Sequence, residues 1–265
     1  MAAPPPKIDG LRLATLSFNL RFGLARDGAN KWSLRRKAVG DLLAAYPADF
    51  MVFQEVNAFQ AHALAGDLPN HGCIGLRRPA PEFWQNNLIF YHHRWRCLRH
   101  RHFFLRPTPG IPSRFRESRW PRQCTLGVFT CRSHEIVCVN THLDFKSSVQ
   151  VAGARMIRKA VDREGPGLPA LLMGDFNTGP DSPCRQALTG PARSNGRCRF
   201  RSVFTAPYPG THHGFTGTAT GDQIDWILYS GRLKPTGCRI IRDTFDGRYP
   251  SDHFPVYAEF ELPVR

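Results

Sequence analysis

The sequence of 265 residues has no apolar run approaching the roughly eighteen residues that a bilayer span requires. The longest, such as Leu168 to Met173 and Phe50 to Phe53, are of strand length, so no transmembrane helix is expected. Met1 to Gly10 is proline-rich and lacks the apolar core of a secretory signal, and it reads as a flexible tail, residues 1–10. Cysteines occur at 73, 97, 124, 131, 138, 184, 198 and 238, but without a C-x-x-C pair or a Cys/His cluster at zinc spacing. Reduced thiols follow, several of them small buried hydrophobes inside runs such as Ile136-Val137-Cys138-Val139. Acid is in short supply: 36 Lys plus Arg against 21 Asp plus Glu leaves a net charge of +15. That excludes an acidic solvating protein and makes a polyanionic partner the first expectation. Lysine is scarce as well, with 6 residues against 30 arginines. The planar guanidinium grips phosphate oxygens in pairs. A genome rich in Arg codons would give the same bias, so the charge locates no site. The chain reads as soluble, cytoplasmic and monomeric, with no obligate protein partner.

At 42% apolar and 11% aromatic, the chain can build a sizeable core. Strand-like runs are Leu11 to Phe18, Phe50 to Phe53, Asn87 to Tyr91, Arg96 to Phe104, Cys124 to Cys131, Glu135 to Asn140, Ala170 to Gly174, Ile224 to Tyr229, Arg239 to Arg242 and Val256 to Leu262. Ser133-His134 suits a hairpin turn. Helical spacing runs from a Ser33 cap to Tyr46 with Leu34, Ala38, Leu42 and Ala45 on one face, and over Ala58 to Leu68 and Ser148 to Arg163. No repeat or linker divides residues 11–265. Many strands and few helices predict an α/β sandwich: two mostly antiparallel sheets packed face to face, with helices outside, in four layers.

Polar residues recur where apolar strands end. Asn19 follows Phe18, Glu55 follows Phe53, Asn140 and His142 follow Val139, and Asp175 and Asn177 follow Met173. Asp225 adjoins the Trp226 to Leu228 run, and Asp252-His253 precedes Pro255 to Tyr257. Singly, each has an ordinary explanation, since Asp and Asn cap turns. Six such sites at strand ends are hard to attribute to turns alone. Gathered at one edge they make a pocket of carboxylates, amides and imidazoles, the hard-oxygen environment that Mg²⁺ or Mn²⁺ prefers.

These segments also resemble a known family. Ser17-Phe18-Asn19, Phe53-Gln54-Glu55, Asn140-Thr141-His142-Leu143-Asp144, Gly174-Asp175-Phe176-Asn177, Ile224-Asp225-Trp226-Ile227 and Ser251-Asp252-His253-Phe254-Pro255-Val256 are similar, in order, to the signature of the endonuclease/exonuclease/phosphatase superfamily. Thr211-His212-His213-Gly214-Phe215-Thr216-Gly217 resembles a segment of its small bacterial members. The resemblance implies a four-layer α/β sandwich and Mg²⁺-dependent phosphoester hydrolysis. It implies Glu55 as principal metal ligand with Asn19 and Asp252, and His253 as general base with Asp225 fixing its tautomer. Asp175 and Asn177 would orient nucleophile or phosphate, His142 would donate to a phosphoryl oxygen, and Arg122 and Asn140 would stand at the substrate phosphate. One departure is Gln85, which stands where relatives commonly have a Glu expected to partner the phosphate-facing histidine. The abasic-site tyrosine motif is also not evident.

Between Arg94 and Arg122 lie nine arginines and one acid, Glu117, interleaved with Trp95, Phe103, Phe104, Phe115 and Trp120. Such a stretch can hold a nucleic-acid backbone and stack bases. It also suits an anionic lipid surface. A nuclease is the first expectation, a phosphoinositide or sphingomyelin phosphoesterase the second, and a non-catalytic binder of phosphate polymers the third. The intact acid–base set argues against the last.

Overall fold

Alternation within fully apolar runs builds the layers. The computed structural model describes residues 10–191, 199–219 and 221–264; of the expected tail only Gly10 falls within them. In order, the elements are β1 (Leu11–Asn19), α1 (Trp32–Ala45), β2 (Phe50–Val56), α2 (Ala58–Asp67), β3 (His71–Ile74), β4 (Asn86–His92), β5 (Arg96–Phe104), β6 (Gln123–Cys131) and β7 (His134–His142). Then follow α3 (Ser147–Glu164), β8 (Ala170–Asp175), α4 (Pro183–Thr189), β9 (Arg201–Ser202), β10 (Asp225–Ser230), β11 (Lys234–Ile240) and β12 (Val256–Leu262). They form two six-stranded sheets, ordered β11-β12-β1-β2-β4-β3 and β5-β6-β7-β8-β10-β9.

In β2, Phe50 and Val52 face the other sheet, while Met51 and Phe53 face α1 and α2. In β7, Ile136 and Cys138 face the first sheet, while Val137 and Val139 pack with Ile157 and Val161 of α3. Successive strand residues point to opposite faces, so each run is apolar throughout because both its faces are covered. Three cores separate four layers, as the sequence predicts. Each sheet holds one parallel pair at its centre, β1 with β2 and β7 with β8, crossed over by α1 and α3. The remaining pairings are antiparallel.

Three local expectations change. Helix α1 starts at Trp32 and buries Arg35, Ala38, Val39, Leu42 and Leu43, whereas Leu34 and Ala45 are exposed. The buried face turns because Arg35 belongs to it: its guanidinium donates to the carbonyls of Leu20, Arg21, Asn30 and Pro250. The hairpin turns at Arg132-Ser133, with Arg132 at φ 53°, and His134 already pairs with Cys131. Strand β11 runs over Lys234–Ile240 rather than Arg239 to Arg242, an exposed edge with little apolar signal. Strands β3 and β9 and helix α4 have no counterpart in the sequence reading. The seven described cysteines are free. Among the described residues no helix is long and apolar enough to cross a membrane.

Candidate active site

The two parallel pairs place the site. Because β1 and β2 run together, Asn19 ends beside Gln54; because β7 and β8 run together, His142 ends beside Asp175. Antiparallel β10 then sets Asp225 directly opposite Asp175. With the sheets face to face, Asn19 Nδ2 donates to Asp175 Oδ2 at 3.0 Å and lies 3.5 Å from Glu55 Oε1. The loop before β12 brings in Asp252 and His253, and Ser251 Oγ donates to the Asn19 carbonyl at 2.7 Å.

His253 is the hub. Its Nδ1 is 2.8 Å from Asp225 Oδ2, and its Nε2 is 4.0 Å from Asp175 Oδ2. Burial alone would lower its pKa, but Asp225, Asp175 and Asp252 carry it up to about 10. Asp175 moves up to about 7, first through burial and then through Asp225 across the ladder. Among these carboxylates the charged imidazolium is the favoured form of His253. His142, with Nε2 3.4 Å from Asp175 Oδ2 and Nδ1 4.0 Å from Glu55 Oε1, goes the other way. Burial, then Arg122 and His253, push it well below the usual range, so it is neutral.

Glu55 is held in the left-handed region at φ 63°, within the register shift between Phe53 and Val56, and its Oε2 accepts from Phe22 N–H at 2.7 Å. A non-glycine residue there is strained, and such strain clusters at functional sites. Asn177, also left-handed at φ 49°, donates from Nδ2 to the Leu143 carbonyl, and its N–H donates to Asp175 Oδ1. It thus ties the exits of β7 and β8 together.

Two expected residues have their polar atoms engaged otherwise. Asn140 donates from Nδ2 to the carbonyls of Phe53 and Leu88 and accepts from Gln54 Nε2 at 2.7 Å. Fully buried, it has no donor left for a phosphate and joins the two sheets behind the pocket. Asn19 turns its amide nitrogen to the carboxylates while its oxygen accepts from Arg21 N–H, so as an oxygen ligand it would have to rotate its amide. Arg122 is largely buried, its Nε 3.8 Å from Asp144 Oδ2 but without a hydrogen bond, and its guanidinium 5.4 Å from the Phe145 ring centroid. It lines a cleft of about 210 Å³ with Glu55, Gln85 and His142.

Further residues, for which the sequence alone suggests no role, brace the pocket. Arg21 holds Asp27 with two hydrogen bonds and reaches Asp252 at 3.4 Å. Thr211 Oγ1 accepts from the N–H groups of Ile224 and Asp225, and His212 Nε2 lies 3.9 Å from Asp252 Oδ2. Thr211 and His212 carry a sequence signal, the Thr211 to Gly217 segment. Arg21 carries none among thirty arginines. Among the described residues, two sets bring possible ligand atoms within 4.8 Å of one another: Asp175 with Asp225 and His253, and His212 with Asp252 and His253. The crowded oxygens, together with an unpartnered buried Asp225 Oδ1, fit a hard divalent cation. Glu55 belongs to neither set but faces the same pocket through Asn19 and His142.

The chain matches the model of the Endonuclease/Exonuclease/phosphatase family over residues 16–253. Among solved structures it is similar to an endonuclease/exonuclease/phosphatase family protein from Bacteroides thetaiotaomicron. The two share 25% identity, with 96% of this chain and 99% of that chain covered and a TM-score of 0.85. A mannosyl-6-phosphatase from Bacteroides thetaiotaomicron is similar at 24% identity over 94% and 100%, TM-score 0.83. A D. rerio TDP2 humanized by 14 mutations is similar at 18% identity over 95% and 99%, TM-score 0.73. The last two likenesses are of fold. No curated protein sequence matches the chain.

Proposed function

The chain belongs to the endonuclease/exonuclease/phosphatase family of phosphoester-hydrolysing enzymes, and from that premise we propose that it is a Mg²⁺- or Mn²⁺-dependent phosphodiesterase acting on nucleic acid. The observation that carries the reading is the buried His253–Asp225 pair set against Asp175 at the strand ends.

Glu55, Asp252 and Asp175 are the carboxylates that would hold the cation. When bound, the ion would supply charge neutralisation at the phosphoryl oxygens and relieve the negative charge around His253. Asp225 accepts the Nδ1–H of His253, which leaves Nε2 as the basic nitrogen whenever the ring is neutral. Water attacks phosphorus and gives its proton to Nε2, a P–O ester bond breaks, and the leaving oxygen takes a proton from solvent. Neutral His142 donates one N–H to a phosphoryl oxygen, with the Arg122 guanidinium beside it to balance the developing charge. Asn177 positions Asp175 through its backbone N–H.

The choice of nucleic acid rests on the Arg-rich segment. It covers exposed edge strand β5 and the 105–122 loop, and the loop ends at Arg122 inside the cleft. A polyanion drawn along that path meets the acid–base set at its end. A second reading, hydrolysis of a small phosphorylated sugar, is favoured by the modest size of the cleft and by the likeness to a mannosyl-6-phosphatase.

The test is a substrate panel with Mg²⁺ and with Mn²⁺: DNA, RNA, sugar phosphates, phosphoinositide and sphingomyelin. Nucleic-acid cleavage is expected, abolished by chelator and by His253→Ala and weakened steeply by salt. Turnover of sugar phosphate or lipid with nucleic acid untouched would overturn the substrate assignment. Full activity in His253→Ala would overturn the mechanism.

A further inference from the structure

Of the thirty aromatic side chains, fifteen are buried, as their apolar area favours, and three are exposed. Two of those three line the catalytic cleft: Phe145 is 70% exposed and Trp120 is 54% exposed. Both stand on constrained backbone. Phe145 follows buried Asp144, whose Oδ1 accepts from Lys146 N–H ahead of α3. Trp120 stands two residues before Arg122, with Pro121 between them. Each ring carries a guanidinium, Arg122 at 5.4 Å from the Phe145 centroid and Arg119 at 5.2 Å from the Trp120 centroid. The partly buried Phe22 lines the same cleft. Hydrolysis of a bare phosphate ester needs none of these faces.

The geometry points to a stacking subsite formed by Trp120 and Phe145 beside the phosphate position, built for a flat aromatic group carried by the substrate: a nucleobase. The inference rests on the phosphoester reading of the cleft and narrows it. Arg122 and His142 face the phosphate at the floor, the two rings face the attached base at the mouth, and Arg119 adds positive charge beside the Trp120 ring. Base–aromatic stacking is tolerant of sequence, so the subsite selects for the presence of a base rather than for its identity.

A paired-substrate experiment tests this. A dinucleotide and the same phosphodiester with its bases removed are compared by kcat/KM in the full-length protein with Mg²⁺ or Mn²⁺, alongside Trp120→Ala, Phe145→Ala and Trp120→Phe. The unsubstituted protein should prefer the base-bearing substrate roughly tenfold or more, the scale of one stacked base. That ratio should collapse toward one in the alanine variants and be largely restored in Trp120→Phe. Binding of a nucleoside monophosphate against inorganic phosphate and a hexose 6-phosphate, by calorimetry, supplies a readout independent of turnover. Equal turnover of both diesters, or an unchanged ratio in both alanine variants, would overturn the subsite while the phosphoesterase reading stood. A tenfold binding preference for the nucleotide without cleavage of any ester would leave the subsite standing and overturn the hydrolytic reading. Tighter binding of the hexose phosphate, weakened by the same alanine substitutions, would overturn the nucleobase in favour of a sugar.

Discussion

Replacing Asp225 with Asn removes one charge while keeping an oxygen able to accept from His253 Nδ1. In the protein that contact is 2.8 Å and both groups are buried. Burial alone would lower the imidazolium pKa, and it is Asp225 first among the carboxylates that lifts it to about 10. At an effective dielectric of about 20, opposite charges about 4 Å apart attract by about 4 kcal/mol, equivalent to about three pKa units. Other carboxylates and relaxation absorb part of this, so Asp225→Asn should lower the His253 pKa by at least about one unit. The assay is an NMR titration of labelled imidazoles in chelator-treated protein, with the His253 resonance assigned by its loss in His253→Ala. The sign for stability follows from linkage. A histidine raised above its unfolded value of 6.5 stabilises fully below pH 6.5, and that contribution is lost as pH rises toward 10. Between pH 7 and 9.5 the unsubstituted protein should therefore lose stability more steeply than Asp225→Asn, by up to about 1.4 kcal/mol per pH unit. Activity should fall about 10²- to 10⁴-fold, the range of a lost acid–base contribution. A His253 titration that overlays that of the unsubstituted protein would refute this account of the pocket.

Other substitutions and conditions probe the frame. At φ 63°, a Cβ at position 55 carries a strain of about 1–2 kcal/mol; Glu55→Gly should therefore be more stable to urea than Glu55→Ala by about 1 kcal/mol, with both inactive, and equal stability would dismiss the strain. At Gly174, φ 143°, an added Cβ would run into the Thr141 carbonyl oxygen; Gly174→Ala should lower the thermal midpoint by several degrees and disrupt Asp175, visible as a lost His253 shift in the same NMR titration. On the acid side, burial lowers the pKa of His71 and His102, and of His213 to about 4. The unfolded chain takes up protons near pH 6.5 while the folded one does not, so stability present above pH 6.5 should fall as pH drops toward 5, by up to about 1.4 kcal/mol per pH unit for each histidine. Calorimetric midpoints that stay flat over that range would contradict their neutral burial.

The layers and the strand-end residues are legible in the sequence because the site residues border apolar runs, Asn19, Glu55, His142 and Asp175 at the end of one and Asp225, Asp252 and His253 at or before the start of one, and a strand is the segment whose direction carries over to its ends. Asp175 and Asn177 illustrate the limit. Two residues apart on an extended chain they would share a face, but Asn177 is left-handed, and it is the backbone N–H that meets Asp175. Asn140 is visible as a polar residue after a strand, but its part depends on Gln54, 86 positions away, which occupies its oxygen. The face of α1 is misread because a buried Arg breaks the apolar periodicity. What satisfies Arg35 includes the Pro250 carbonyl, 215 positions distant. Strand β11 is an edge with one covered face at most, so no alternation marks it. For Asn140 and Arg35 the missing information is a partner far along the chain.

That distance bears on how the protein comes into being. Asn19 and Asp175, in direct contact, are 156 positions apart, and the Ser251–Asn19 bond spans 232. Loop closure on that scale opposes folding until most of the native contacts form together, which slows acquisition of the native topology. A nascent chain has no strand to pair with the outer side of β1 until β12 has emerged, and His253 emerges only just ahead of it. On the proposed mechanism no half-competent precursor would exist: hydrolytic power would arrive in one late step, and recovered turnover during refolding would report completion of both sheets rather than of either alone.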